Sequence, residues 1–244
     1  MHDTPRYDLT AASAWIRGRS MHTGSPALPA PLLQRPLEAL SEAEKTAVVE
    51  AGMAAGLKLY PFKRDKKPLG RVQRTLGFLW SVQPESLLDI GSGRGVFLLP
   101  FLREFPRTEV TSLDLLEPRV RFLRELRDGG FSRLRPVQGD ICCPPFGDER
   151  FDVVTMLEVL EHIPEVERAV AAGAALCRRY VVVSVPSKPD DNPEHIHLLT
   201  RERLTEMFHR AGCDRLHFDG VEGHLFLVAS KSAPEQTKTA REGP

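Results

Sequence analysis

Glu158, Glu161 and His162 stand together in LEVLEHIP (157–164), and His195 and His197 follow in NPEHIHLLT (192–200). Carboxylates and imidazoles are the side chains that move protons near neutral pH and that ligate divalent cations. If 158–162 forms one helical turn, spacings of three and four place Glu158, Glu161 and His162 on a single face. A later histidine would complete a set of four ligands, and counting back from Thr200 favours His195 over His197. A divalent metal held by Glu158, Glu161, His162 and His195 would grip an acceptor hydroxyl and lower its pKa. Without metal, His162 or His195 would act as general base. The plain alternative is that Glu158 borders a ligand and His162 caps a helix starting at Pro164.

A second stretch, LLDIGSGRGVF (87–97), has an apolar run ending at Asp89, glycines at 91, 93 and 95, and a new apolar run from Val96. That is a strand, a tight turn and a helix start. The glycines allow positive φ and let a ligand lie against bare peptide planes. Dinucleotide-binding turns use GxGxxG, which would need glycine where Val96 stands. Asp89 beside the turn would repel a pyrophosphate and suits a ligand with an ammonium or sulfonium charge.

LLDIGSGRG resembles the first motif of the class I S-adenosylmethionine-dependent methyltransferases. VTSLDLLEP (110–118), VQGDI (137–141) and FDVVTMLEVLEHIPE (151–165) keep that family's order and spacing, so the likeness covers roughly residues 81–230. The resemblance implies a Rossmann-like α/β fold with a seven-stranded, mostly parallel sheet in the order 3-2-1-4-5-7-6, its last strand antiparallel. It also implies that Asp89, Gly91, Ser92, Gly93 and Gly95 form the donor turn and that Asp114, with Leu115 beside it, accepts the ribose hydroxyls. Asp140 would accept from the adenine amino group while the Ile141 amide donates to a ring nitrogen. Met156 and Leu157 would wall the adenine or methionine side.

The ExxEH stretch with a later histidine is similar to the magnesium ligands of small-RNA 3′-terminal 2′-O-methyltransferases, although LLTRERL replaces their aromatic-rich segment. The same pattern occurs in small-molecule O-methyltransferases of the ubiquinone pathway. The leading expectation is O-methylation of a small-molecule acceptor, with S-adenosylmethionine as donor and Mg²⁺ or another divalent metal as a candidate cofactor. RNA 2′-hydroxyl is the second expectation, through the basic cluster from Lys58 to Arg74, where Tyr60 and Phe62 can stack. A non-catalytic cofactor-binding subunit for a partner is the third.

Alternating strand and helix signals imply parallel strands near 86–90, 109–113, 133–138, 151–156 and 180–185. Runs at 215–221 and 224–230, parted by a Glu222–Gly223 turn, form an antiparallel pair. Thr200 caps a helix over 200–211, and Pro100 predicts a kinked or delayed helix after the glycine turn. Ahead of the sheet, SEAE (41–44) reads as a capping box for a helix to about Leu59, and a second helix runs through Leu69, Val72, Leu76 and Leu79. Five prolines in residues 1–40 suggest a mobile or surface-wrapped arm anchored by Trp15 and Ile16. The organisation expected is an N-terminal arm and helical lid (1–80), a methyltransferase domain (81–230) and a disordered tail (231–244).

Lys plus Arg equals Asp plus Glu at 33 each, so the chain lacks the overall basic excess of many nucleic-acid binders. Its four cysteines include no CxxC, which favours reduced structural thiols over zinc. No uncharged apolar run approaches the roughly 18 residues that span a bilayer, and MHDTPRYDLT is unlike a signal peptide, so a cytoplasmic protein without membrane contact is expected.

Overall fold

A computed structural model describes residues 7–63, 69–189 and 191–231. Seven strands form one sheet in the order β3-β2-β1-β4-β5-β7-β6: β1 (Ser86–Ile90), β2 (Glu109–Asp114), β3 (Leu134–Gln138), β4 (Phe151–Leu157), β5 (Cys177–Pro186), β6 (Arg215–Val221) and β7 (His224–Ser230). β7 runs antiparallel to both β5 and β6, and the first five strands pair in parallel. β1 and β4 are buried on both faces because each face is covered by helices.

On one face, Leu87, Val110, Val153, Val182 and Phe226 join the core beneath α4 (Gly70–Val82), α5 (Leu98–Glu104) and α6 (Glu117–Asp128). On the other, Leu88, Val154, Met156 and Val183 pack with α7 (Val166–Leu176) and α8 (Arg201–Arg210). α5 starts late, with Pro100 in its first turn, where the lost amide is one the helix would leave unpaired anyway. α8 is capped by the Thr200 side chain, which accepts from the Arg203 amide.

Two expectations for the N-terminal region are corrected. Residues 9–23 are no loose arm: α1 (Leu9–Thr23) is buried along Ala11–Gly18 and packs on α6 and on α3 (Glu42–Ala54). A Cβ on Gly18 would lie 1.8 Å from the Glu125 carbonyl oxygen, so the two helix backbones touch directly. α3 has the expected capping box between Ser41 and Glu44 but ends at Ala54 rather than near Leu59, where Gly56 takes positive φ. The central part of the basic cluster (64–68) and the tail from 232 onward lie outside the described residues.

Candidate active site

The carboxyl ends of β1–β4 open onto a cavity of about 480 Å³. Gly91, Asp114, Leu115, Asp140, Ile141 and Glu158 contribute to its wall, as do Val159 and His162. The location is the switch point where helices pass from one face of the sheet to the other.

The glycine turn sits at its base. Gly91, Gly93 and Gly95 have φ of 67°, 56° and 79°, conformations that suit glycine. A Cβ on Gly91 would fall 2.5 Å from a Val159 methyl, so the bare backbone is also what lets the loop after β4 close on the turn. Gly95 does not border the cavity; its missing Cβ makes room for Leu99.

Asp89 lies beneath the turn rather than in the wall. It is 3% exposed, and its oxygens accept from Ser92 Oγ at 2.5 Å and Thr155 Oγ1 at 2.6 Å. Burial, reinforced by the nearby Asp114 charge and opposed by these two hydrogen bonds, pushes its carboxyl up to about 6. Ser92, expected at the ligand, turns its hydroxyl inward to Asp89 and to Ser112 Oγ at 2.7 Å. Both residues therefore brace the turn from below.

Asp114 closes β2 and does face the cavity. Its Oδ2 accepts from the Gly93 amide at 3.2 Å and its Oδ1 from the Leu116 amide at 3.0 Å, ahead of the first turn of α6. Each carboxylate oxygen can accept twice, so these bonds orient the group and leave lone pairs for a ligand. Asp140 is similarly fixed, with Oδ1 accepting from the Cys142 amide at 2.8 Å, and Ile141 is buried beside it.

Met156 is a correction. It is fully buried on the α7 side, where a Cβ on Gly173 would come within 2.1 Å of its terminal methyl. Leu157 packs on the opposite core. Side chains alternate along a strand, so neither turns to the cavity, and Val159 and Ile163, not singled out in the sequence, line it instead.

The helical turn expected over 158–162 is also absent. β4 ends at Leu157, Glu158 takes a left-handed φ of 58°, and Leu160–His162 form a 3₁₀ turn. A non-glycine residue held there costs about 1–3 kcal/mol. That kink parts the four expected ligands. Glu161, His162 and His195 offer atoms all within 4.8 Å of one another, while Glu158 is directed elsewhere. The Glu158 Oε1 accepts from Ser184 Oγ at 2.8 Å, its Oε2 meets His224 Nε2 at 2.8 Å, and Arg71 Nε lies 4.0 Å away. His197 packs its Nε2 on the Ile163 carbonyl, which leaves His195 as the later histidine of the cluster. One carboxylate and two imidazoles suit a transition metal such as zinc or iron better than Mg²⁺, which prefers oxygen ligands.

The N-terminal region reaches this edge through the 3₁₀ turn Tyr60–Phe62. Arg94 of the glycine turn stacks over the Tyr60 ring at 5.2 Å, and Tyr60, Pro61, Gly93 and Arg119 border an adjoining cavity of about 400 Å³. Of the basic cluster, Arg71 faces Glu158, and Arg74 pairs with Asp219 at 2.7 Å. No helix among the described residues is long and apolar enough to cross a membrane.

Comparison with known proteins agrees with this geometry. A family described as "Methyltransferase domain" matches residues 62–217. Over 95 residues the chain is 32% identical to malonyl-[acyl-carrier protein] O-methyltransferase of Methylococcus capsulatus, a match covering 39% of this chain and 34% of that protein. The match thus spans about a third of the relative's length. Among solved structures, the methyltransferase domain of bacterial CtHen1-C aligns with a TM-score of 0.56 at 19% identity, covering 67% of this chain and 98% of that one. The N-terminal domain of EvdMO1, solved with S-adenosylhomocysteine bound, aligns with a TM-score of 0.54 at 17% identity over 70% and 82% of the two chains. At such identities the structural likeness speaks for the fold.

Proposed function

The chain belongs to the methyltransferase-domain family of class I S-adenosylmethionine-dependent enzymes, and from that premise we propose that it moves the methyl group of S-adenosylmethionine to an oxygen of a small-molecule acceptor. The observation that carries the reading is the order of groups around the 480 Å³ cavity: a bare glycine turn, then Asp114 at the end of β2, then Asp140 and Ile141 after β3. A nucleoside laid across the strand ends in that order meets a carboxylate for the ribose diol, and then an acid and a buried apolar side chain for the base. Asp89, beneath the turn, adds negative charge near a cationic methionine end and none of the positive charge a pyrophosphate would need.

Methyl transfer from a sulfonium is an in-line displacement whose leaving group is already activated, so placing donor and acceptor supplies most of the catalysis. This chain's residues would fix the nucleoside through Asp114 and Asp140, while Val159 and the Tyr60–Pro61 turn limit water at the donor.

A metal-assisted version is favoured by one specific observation, the approach of Glu161, His162 and His195. A metal bound by those three would polarise an acceptor hydroxyl. The test is an S-adenosylhomocysteine-release assay over pools of small hydroxylated compounds and of RNA, with and without chelator and at two salt concentrations. Release with small compounds, little changed by salt, supports the reading. Release only with RNA, falling steeply with salt, would replace it with the RNA alternative. Loss on chelation, restored by zinc or iron, supports the metal version; indifference to chelator together with indifference to Glu161→Gln removes it.

A further inference from the structure

Glu158 is the residue at which the donor cavity meets the rest of the catalytic edge, and four elements converge on its carboxylate. Ser184 comes from β5, His224 from the start of β7, Arg71 from the first turn of α4, and Glu158 itself ends β4. The backbone is pinned as well, since the Glu158 amide donates to the Ser184 carbonyl at 2.9 Å. His224 is fixed on its other side, where Nδ1 lies 2.9 Å from the Glu222 carbonyl oxygen. A carbonyl only accepts, so Nδ1 is the donor there, and Nε2 donates to the Glu158 carboxylate in the doubly protonated ring, whose orientation is thereby set on both sides. Holding a bulky residue at a φ of 58° so that its carboxylate reaches this junction is the kind of local strain that persists where surrounding contacts determine it.

Ser184 takes one lone pair of Oε1 and His224 faces one of Oε2, so each oxygen keeps a second site for a proton donor. The group is about one-fifth exposed and borders the donor cavity, so a molecule at the mouth can reach it. We propose that Glu158 receives the acceptor's proton, that Ser184 and His224 are the positioning residues that aim it, and that the acceptor's nucleophile is therefore a neutral hydroxyl rather than a carboxylate. This rests on the methyl-transfer reading above. The hydroxyl oxygen forms its bond to the methyl carbon as the carbon–sulfur bond breaks, and that bonding pair stays on sulfur. The hydroxyl proton passes to a Glu158 oxygen and then to water. A carboxylate acceptor has no proton to give, would meet the like charge of Glu158, and would compete with it for Ser184, His224 and Arg71.

The experiment compares benzyl alcohol with benzoate, probes alike in their ring and different in the reacting group. Each is titrated into isotope-labelled protein, unliganded and saturated with S-adenosylhomocysteine, and the amide shifts of Glu158 and Ser184 are followed. The expected result is saturable perturbation by the alcohol and at least 10-fold weaker response to benzoate, with the preference reduced or reversed in Glu158→Gln. His224→Ala should weaken the alcohol response about 10-fold, and His224→Gln, which keeps a donor near the Nε2 position, should restore it to within about 3-fold. Overall amide dispersion reports whether each variant is folded. Equal response to both probes, no response to either, or a His224→Ala protein that behaves like the parent overturns the proposal. Failure of S-adenosylhomocysteine to bind would instead count against the donor reading, because the probe titration is also read without it.

Discussion

Two polar centres divide the molecule by purpose. Under α1, Arg17 is 3% exposed, and its guanidinium donates to the carbonyls of Leu32, Gly129, Leu33 and Arg35. Beside it Trp15 Nε1 donates to Glu125 at 2.6 Å. Burial holds the Arg17 guanidinium below its ordinary pKa, with Glu38 acting in the opposite direction. The guanidinium is satisfied by backbone carbonyls, so this centre fastens α1 to the 32–35 segment and to α6. At the carboxyl edge of the sheet, backbone, hydroxyl and imidazole partners orient the acids without exhausting them: Asp114 and Glu158 keep lone pairs toward solvent-reachable space. A saturated buried charge marks structure, and an oriented but incompletely used one marks a place for a ligand.

Removing Arg17 is the harshest way to break the contrast. Arg17→Met should cost about 3–5 kcal/mol in denaturant unfolding, because several buried carbonyls lose their donor at once. Whatever fraction stays folded should bind the methyl donor within about twofold of the parent. Loss of donor affinity in protein shown to be folded would erase the division.

Asp114→Ala is the converse. It should weaken donor binding about 100-fold, from the loss of charge-assisted bonds to two hydroxyls, while lowering stability by no more than about 1 kcal/mol. Titration calorimetry and thermal melts check the two halves separately.

The smallest effect on donor binding is the pH response. Asp89 has its carboxyl raised to about 6, so between the unfolded value of 3.8 and about 6 the folded protein holds a proton that the unfolded chain has released. Ionising it therefore costs the empty protein stability as pH rises through that window, roughly 3 kcal/mol once pH exceeds about 6, and nothing below the unfolded value. A cationic donor nearby favours the ionised form. Its affinity should fall about 10-fold from pH 7.5 to 5, and Asp89→Asn should flatten that dependence. An unchanged slope in the variant would assign the titration to another group.

How much of this was legible in the sequence follows from the same physics. All seven strands were readable, because β1, β4 and β5 are apolar runs ended by turn residues and a tight turn separates β6 from β7, while the sheet order followed from the family resemblance of the motifs. Asp114 was readable because it closes β2, and Asp140, two residues beyond β3, came with the family resemblance. α1 was not, since helix periodicity appears only when one face meets water. Ala11–Gly18 is buried all round, and small residues there let the backbones of α1 and α6 touch.

Met156 was misplaced because it stands near the end of β4, yet the pleat turns its side chain into the core beside α7. The helical reading of 158–162 failed at a single dihedral, the left-handed Glu158, which no local signal marks as glycine would. His224 carried no signal at all. It is one histidine after a turn, and only the antiparallel pairing of β7 with β5 carries it to Glu158.

A cavity over β1–β4 suited to a positively charged nucleoside donor should refuse a phosphorylated dinucleotide. Titration calorimetry of the full chain against S-adenosylmethionine and against NAD, at pH 7.5 and equal ionic strength, tests it most directly. The expected result is saturable one-to-one binding of S-adenosylmethionine, weakened about 100-fold in Asp114→Ala, and no measurable heat with NAD. Comparable binding of NAD, or no binding of S-adenosylmethionine, would contradict it.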